Sequence, residues 1–137
     1  MKKAVLAVFA LVLVLSLAAC GGTKSTTPPE LTGEWKQTNS ASADAWQAAT
    51  IQGDTIEVYW VSDNGDTESL YWAGTFVAPT TPDEPYTWDS VNDKSKTDTA
   101  LLASPDDTKT FTYQNGVLSY KVSALGTTTT VKLEKQS

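Results

Sequence analysis

From Gly33 to the C-terminus, apolar residues recur at every second position in short runs, and helical three-four spacing never lasts beyond about two turns. Period two is the mark of a strand with one buried face. The runs are separated by the turn-forming dipeptides Gly53-Asp54, Asn64-Gly65, Asn115-Gly116 and Leu125-Gly126. Eight strands are predicted: Gly33 to Thr38, Trp46 to Ile51, Thr55 to Val61, Glu68 to Val77, Tyr86 to Val91, Lys109 to Tyr113, Val117 to Ser123 and Thr127 to Leu133. Ala100 to Ala103 is a short apolar run that allows one further element.

Each turn fixes a register that can be tested for consistency of its faces. A two-residue loop at Asn115-Gly116 sets Tyr113 against Leu118, Phe111 against Tyr120, Lys109 against Val122 and, on the other face, Thr112 against Ser119. The same loop at Leu125-Gly126 sets Val122 against Thr129, Tyr120 against Val131 and Leu118 against Leu133. Gly53-Asp54 pairs Ile51 with Ile56 and Ala49 with Val58. At Asp63-Asn64-Gly65 a three-residue loop with a bulge is preferred, pairing Val58 with Leu70 and Ile56 with Trp72. The predicted core face then holds Ile51, Ile56, Val58, Trp60, Leu70, Trp72 and Phe76, and the opposite face Trp46, Tyr59, Val61, Tyr71 and Ala73.

The fold class is therefore all-β. Eight antiparallel strands in sequential hairpins remove their edges by closing into an up-and-down barrel, the leading expectation. A two-sheet sandwich is the alternative. The 137 residues allow one small domain, assigned to residues 31–137. Twenty-one threonines, and twelve aromatics from residue 20 onward, fit strands throughout.

The first 30 residues follow a different pattern. Lys2 and Lys3 precede an apolar run from Ala4 to Leu15, and small residues lead into Cys20. This predicts a removable signal peptide over residues 1–19. The apolar stretch from Ala4 to Ala19 is shorter than the roughly 20 residues that span a bilayer. The lone cysteine has no disulfide partner. Leu17-Ala18-Ala19-Cys20 resembles the lipobox of bacterial lipoproteins, which implies cleavage between Ala19 and Cys20, a diacylglyceryl thioether on Cys20 and anchorage on the outer face of the cell membrane. Residues 20–30 read as the lipidated Cys followed by a flexible tether rich in Gly, Ser, Thr and Pro.

Charge excludes several functions. From Cys20 onward 8 Lys face 16 Asp and Glu, a net charge of 8 − 16 = −8. That sign repels a phosphate backbone, so no nucleic-acid partner is expected. The absence of His and Arg removes the commonest neutral-pH base and the bidentate phosphate fork. Ser or Thr has no His to activate it. Most of Asp83, Glu84, Asp89, Asp93, Asp98, Asp106 and Asp107 lie in polar loops, where exposure is the default, rather than as a carboxylate pair across a cleft. The acidic loop from Asp63 to Glu68 lacks the alternation and closing Glu of an EF-hand. No catalytic residue, cofactor or metal is expected.

Two sets of aromatics remain as binding candidates. Trp46, Tyr59 and Tyr71 share the predicted second face and offer contact area for a protein partner or a sugar, unless another segment covers them. Trp60, Trp72, Trp88 and Phe111 point into the predicted barrel, where they line a cavity for a small hydrophobic ligand or fill the interior themselves.

Gly33-Glu34-Trp35 at the start of the first strand resembles the Gly-x-Trp signature of lipocalins, which implies a barrel with that Trp plugging one end. Lipocalins lay an Arg from the last strand across the Trp. With no Arg in the chain, Lys132 and Lys135 are the cations available for that place. The lipobox, the tether, Thr32-Gly33-Glu34-Trp35 and the ending Thr127 to Lys135 are together similar to small lipoproteins of Gram-positive bacteria and their temperate phages. This implies a location and no chemistry. The expected function is a membrane-anchored, non-catalytic binding module for an envelope or phage protein, with a carrier of a small hydrophobic ligand as the alternative and envelope glycan binding third.

Overall fold

A computed structural model describes residues 25–137. The signal segment, Cys20 and the start of the tether lie outside the described residues. The strands are β1 (Gly33–Gln37), β2 (Trp46–Gln52), β3 (Thr55–Ser62), β4 (Thr67–Thr75), β5 (Tyr86–Val91), β6 (Thr108–Gln114), β7 (Val117–Ala124) and β8 (Thr127–Lys135). A four-residue helix, α1 (Lys94–Thr97), follows β5, started by the Asp93 carboxylate accepting from Ser95 N–H. Ala100 to Ala103 is a turn rather than a strand.

All eight strands join one antiparallel sheet in the order β4-β3-β2-β1-β8-β7-β6-β5. This is a meander rolled up until its first and last strands pair, with Trp35 opposite Lys135 and Gln37 opposite Leu133. The result is a nearly closed up-and-down barrel, and the sandwich is not formed. One seam, between β4 and β5, closes by a single bridge from Gly74 to Asn92. Beside it Asp93 N–H donates to Ala73 O (2.8 Å) and Ser104 N–H to Tyr71 O (2.8 Å), so the segment after β5 fills the gap. Asn92 holds that segment in shape, donating through Nδ2 to the carbonyls of Ser104 and Asp106 and accepting from Thr97 Oγ1.

Three hairpins have the expected registers: Ile51 opposite Ile56, Tyr113 opposite Leu118, and Tyr120 opposite Val131. Two expectations are corrected. The β3–β4 loop is one residue longer than predicted, with Ser62 opposite Thr67, and a bulge farther down, between Val58 and Tyr59, moves the register one residue more in the same direction. Val58 therefore pairs with Trp72 and Tyr59 with Leu70, leaving Tyr71 as the extra residue. A bulge turns the extra residue to the side of its neighbour, so Tyr71 and Trp72 are both buried and Leu70 is outside. The β6–β7 ladder stops at Thr112 opposite Ser119, so the predicted backbone pairs Phe111–Tyr120 and Lys109–Val122 do not form. The rings of Phe111 and Tyr120 still meet at 5.1 Å, while the Lys109 side chain crosses the cleft to donate to Lys121 O (3.3 Å).

The core fills the half of the barrel nearest the N-terminus. Ile51, Ile56, Val58, Trp72, Phe111, Leu118 and Leu133 are almost completely buried there, each such aliphatic or aromatic side chain contributing about 1.5–3 kcal/mol. Leu31 and Trp35 close this end, with Trp35 Nε1–H donating to Leu31 O (3.0 Å) and the ring meeting Tyr113 edge-on. Lys135 donates to Glu30 O (3.0 Å) and pins the chain where it enters β1.

Candidate functional site

The inward positions of β7 and β8 lose cover step by step toward the other end. Leu118 and Leu133 are fully buried, and Tyr120 and Val131 nearly so. Val122 is buried but its partner Thr129 is exposed, and Ala124 and Thr127 both face solvent. The barrel is thus open at the end carrying residues 38–45, 63–66, 92–107 and 125–126. A cavity of about 400 Å³ occupies this mouth, walled by Trp60, Val61, Val122 and Val131 and rimmed by Ser40, Ala45 and Trp46. That size falls within the roughly 300–1,000 Å³ of small-molecule sites.

A glutamine lies at its floor. Gln47 shares the inward face of β2 with Ala49 and Ile51, and only 1% of it is exposed. The hydroxyl of Tyr120 donates to Gln47 Oε1. Above the last β1–β2 pair, the Gln37 side chain takes over from the ladder and accepts from Gln47 N–H (2.8 Å). Gln37 Nε2 donates to Asn39 Oδ1 (3.1 Å), and Asn39 Nδ2 to Thr130 O (2.8 Å), so one polar chain ties the rim of β2, β1 and β8 together. Gln47 Nε2 has no acceptor among the protein groups. A buried donor left this way costs about 1–3 kcal/mol.

Around the floor, Tyr71 stacks on Tyr120 (6.5 Å) and meets Trp60 edge-on (5.2 Å). Lys109, also inward, holds its ammonium 5.1 Å from the Tyr71 ring and 3.8 Å from Asp106 Oδ2. Burial pushes this ammonium below the usual lysine range, with Asp106 opposing. A larger hollow of about 480 Å³ lies in the β6–β7 cleft, but Thr108, Thr110, Thr112, Ser119 and Lys121 line it, so it lacks the apolar wall of the mouth.

The tyrosines carry a pH prediction. The carboxylate of Glu57 holds the Tyr59 proton up to about 12, and burial holds that of Tyr71 to about 12. Burial raises Tyr120 well above its usual value. Above about pH 10 an unfolded chain loses phenolic protons that the folded chain keeps, so stability present below pH 10 falls as the pH climbs toward 12. Urea midpoints at about pH 9 and about pH 11 check this. A lower midpoint at the higher pH is expected, and equal midpoints refute it.

The expected surface triad is not assembled. Tyr71 is inside, for the bulge reason given above. Tyr59 is half-buried and donates to Glu57 (2.6 Å), which also pairs with Lys96 of α1. Trp46 stands at the rim with Lys36 Nζ 4.0 Å over its ring. Of the four expected cavity residues, Trp60 lines the mouth and donates to Leu102 O (3.3 Å). Trp72, Trp88 and Phe111 are packed: Trp88 stacks on Phe111 at 5.2 Å, and Trp72 donates to Ser90 Oγ (3.0 Å). They fill the closed half of the barrel rather than wall a void. Among the described residues no three acids or other metal ligands converge.

Gln47 and Lys109 were not singled out from the sequence, although both signals were present. Once Ala49 faces Val58 and Ile51 faces Ile56, Gln47 is on the core side, and Lys109 shares the side of Phe111 and Tyr113. No protein-family model matches the chain, and comparison with curated proteins and with solved structures gives no match.

Proposed function

We propose that this chain is a non-catalytic, lipid-anchored protein of the outer face of the cell membrane that carries a small, largely apolar ligand in the mouth of its barrel. The observation that carries the reading is the mouth itself: an apolar-walled cavity open to solvent above a closely packed core. An envelope or phage protein as the principal partner is less well supported, because such a partner would have to use Trp46 and Tyr59 without Tyr71. The chain enters β1 at the closed end, so a tether from Cys20 attaches opposite the mouth and leaves it unobstructed. Anchorage rests on the lipobox-like Leu17 to Cys20, since two acyl chains supply the two signals that stable anchoring needs.

The test uses full-length protein from cells of a bacterium that processes lipoproteins. Native mass spectrometry is expected to find a small apolar molecule on the wild type and none on Val122→Asp, which places a charge in the wall of the mouth. Cys20→Ser is expected to move the protein from the membrane fraction to the medium or periplasm. A wild type that is always empty, and that binds no apolar probe, defeats the carrier reading. A Cys20→Ser protein that stays in the membrane fraction defeats the anchor.

A further inference from the structure

Resting on the carrier reading, we infer that the ligand presents an uncharged carbonyl oxygen, as in a ketone, ester or lactone, to Gln47 Nε2, with its apolar body along Trp60, Val122 and Val131. Three observations select this head group. The first is the unpartnered donor, on a side chain 1% exposed and set at the cavity floor. A ligand acceptor would satisfy it where the protein does not, and the bond would form in a water-poor site.

The second is charge. Among the described residues no lysine lines the mouth, and Lys36, 4.0 Å over the Trp46 ring, stands at its rim rather than beside Gln47. Lys109, the ammonium facing the interior, is held in the β6–β7 cleft by Lys121 O and Asp106. A carboxylate head would be buried without a counter-ion, in a chain that carries a net charge of −8 from Cys20 onward.

The third is donor and acceptor count. A carbonyl only accepts, so it pairs with one of the two Nε2 hydrogens and brings no donor of its own. A hydroxyl brings its own proton, which needs a second buried acceptor. Gln47 Oε1 already accepts from Tyr120 and Gln37 Oε1 from Gln47 N–H, so a hydroxyl proton would have to share an oxygen that is already bonded. In the structure the Tyr120 hydroxyl occupies Gln47 Oε1, which leaves Nε2 as the free end of the amide.

The experiment compares octan-2-one, octan-2-ol and octanoate, nearly equal in chain and different in head, by calorimetry on the full-length protein in lipid nanodiscs with empty nanodiscs as blank. Octan-2-one is expected to bind at least tenfold more tightly than the other two, and Gln47→Leu is expected to remove that preference while retaining weak binding of all three. Gln47→Glu, which keeps an oxygen for Tyr120, is a second variant should Gln47→Leu fold poorly, and is expected to lose the ketone preference as well. Equal affinities, tightest binding of octanoate, or a preference surviving in both variants overturns the carbonyl inference and leaves the carrier reading standing. No binding of any probe to the wild type overturns both.

Discussion

Trp72→Ala is expected to unfold much of the protein at room temperature. The indole is fully buried between the apolar layers of the closed half, opposite Val58 across the β3–β4 ladder. Truncating a buried tryptophan costs about 3–5 kcal/mol in transfer and cavity energy. The same change strips the completely buried Ser90 Oγ of its donor; an unpaired buried hydroxyl adds about 1–3 kcal/mol. Together these approach the whole stability of a small domain, about 5–15 kcal/mol. Urea unfolding monitored by far-UV circular dichroism measures the loss. Trp46→Ala supplies the contrast: that ring is half-buried at the rim under Lys36, and its removal is expected to cost no more than about 1 kcal/mol. If the two variants lose equal stability, the division into a packed closed half and an open mouth is wrong.

That division was only partly legible in the sequence. Turns at Gly53, Asn115-Gly116 and Leu125-Gly126 set their registers correctly because each joins strands whose apolar residues match in only one alignment. Around Tyr71 the alternation is ambiguous. Ser69-Leu70-Tyr71-Trp72-Ala73 places an apolar residue on either face in any register, so pattern alone cannot locate the extra residue. The longer loop of Asp63 to Asp66 and the bulge each move the register by one residue, so together they restore the faces but not the pairs, and only the contacts of Tyr71 with Trp60 and Tyr120 decide where the second shift falls. Openness of one end was equally hidden. Thr127 and Thr129 read as ordinary strand residues, and their inward positions are wet only because the segments at that end do not cover them as Leu31 and Trp35 cover the other. Gln47 is the instructive omission: a polar side chain on an otherwise apolar face conflicts with the surrounding pattern, and such conflicts concentrate at functional sites.

Gly74→Ala is expected to open the β4–β5 seam while leaving the rest of the barrel paired. Gly74 forms the single bridge of that seam, opposite Asn92. A methyl group built on its Cα would lie 2.6 Å from the carbonyl oxygen of Val91, 2.7 Å from Trp72 Nε1 and against Ser90 Oγ. Ser90 Oγ can rotate, but the Val91 oxygen is backbone of β5 and can withdraw only if the strand withdraws. Inserting a group into so tight a contact costs about 1–3 kcal/mol, here concentrated on one interface. The neighbouring β3–β4 ladder, paired on both sides of its bulge, and the unbroken β5–β6 ladder do not depend on the bridge. Amide exchange should therefore accelerate at Val91 and Asp93, whose N–H groups donate to Thr75 Oγ1 (2.9 Å) and Ala73 O (2.8 Å) across the seam, and stay slow at Leu118 and Leu133. Gly53→Ala is the control, since nothing lies within 4 Å of its Cβ position. Its φ of +60° leaves only local left-handed strain, about 1–2 kcal/mol, felt by the whole domain rather than by one seam. Uniform acceleration across all strands in Gly74→Ala would mean that the seam has no independence from the core, and unchanged exchange at Val91 and Asp93 would mean that it does not close there.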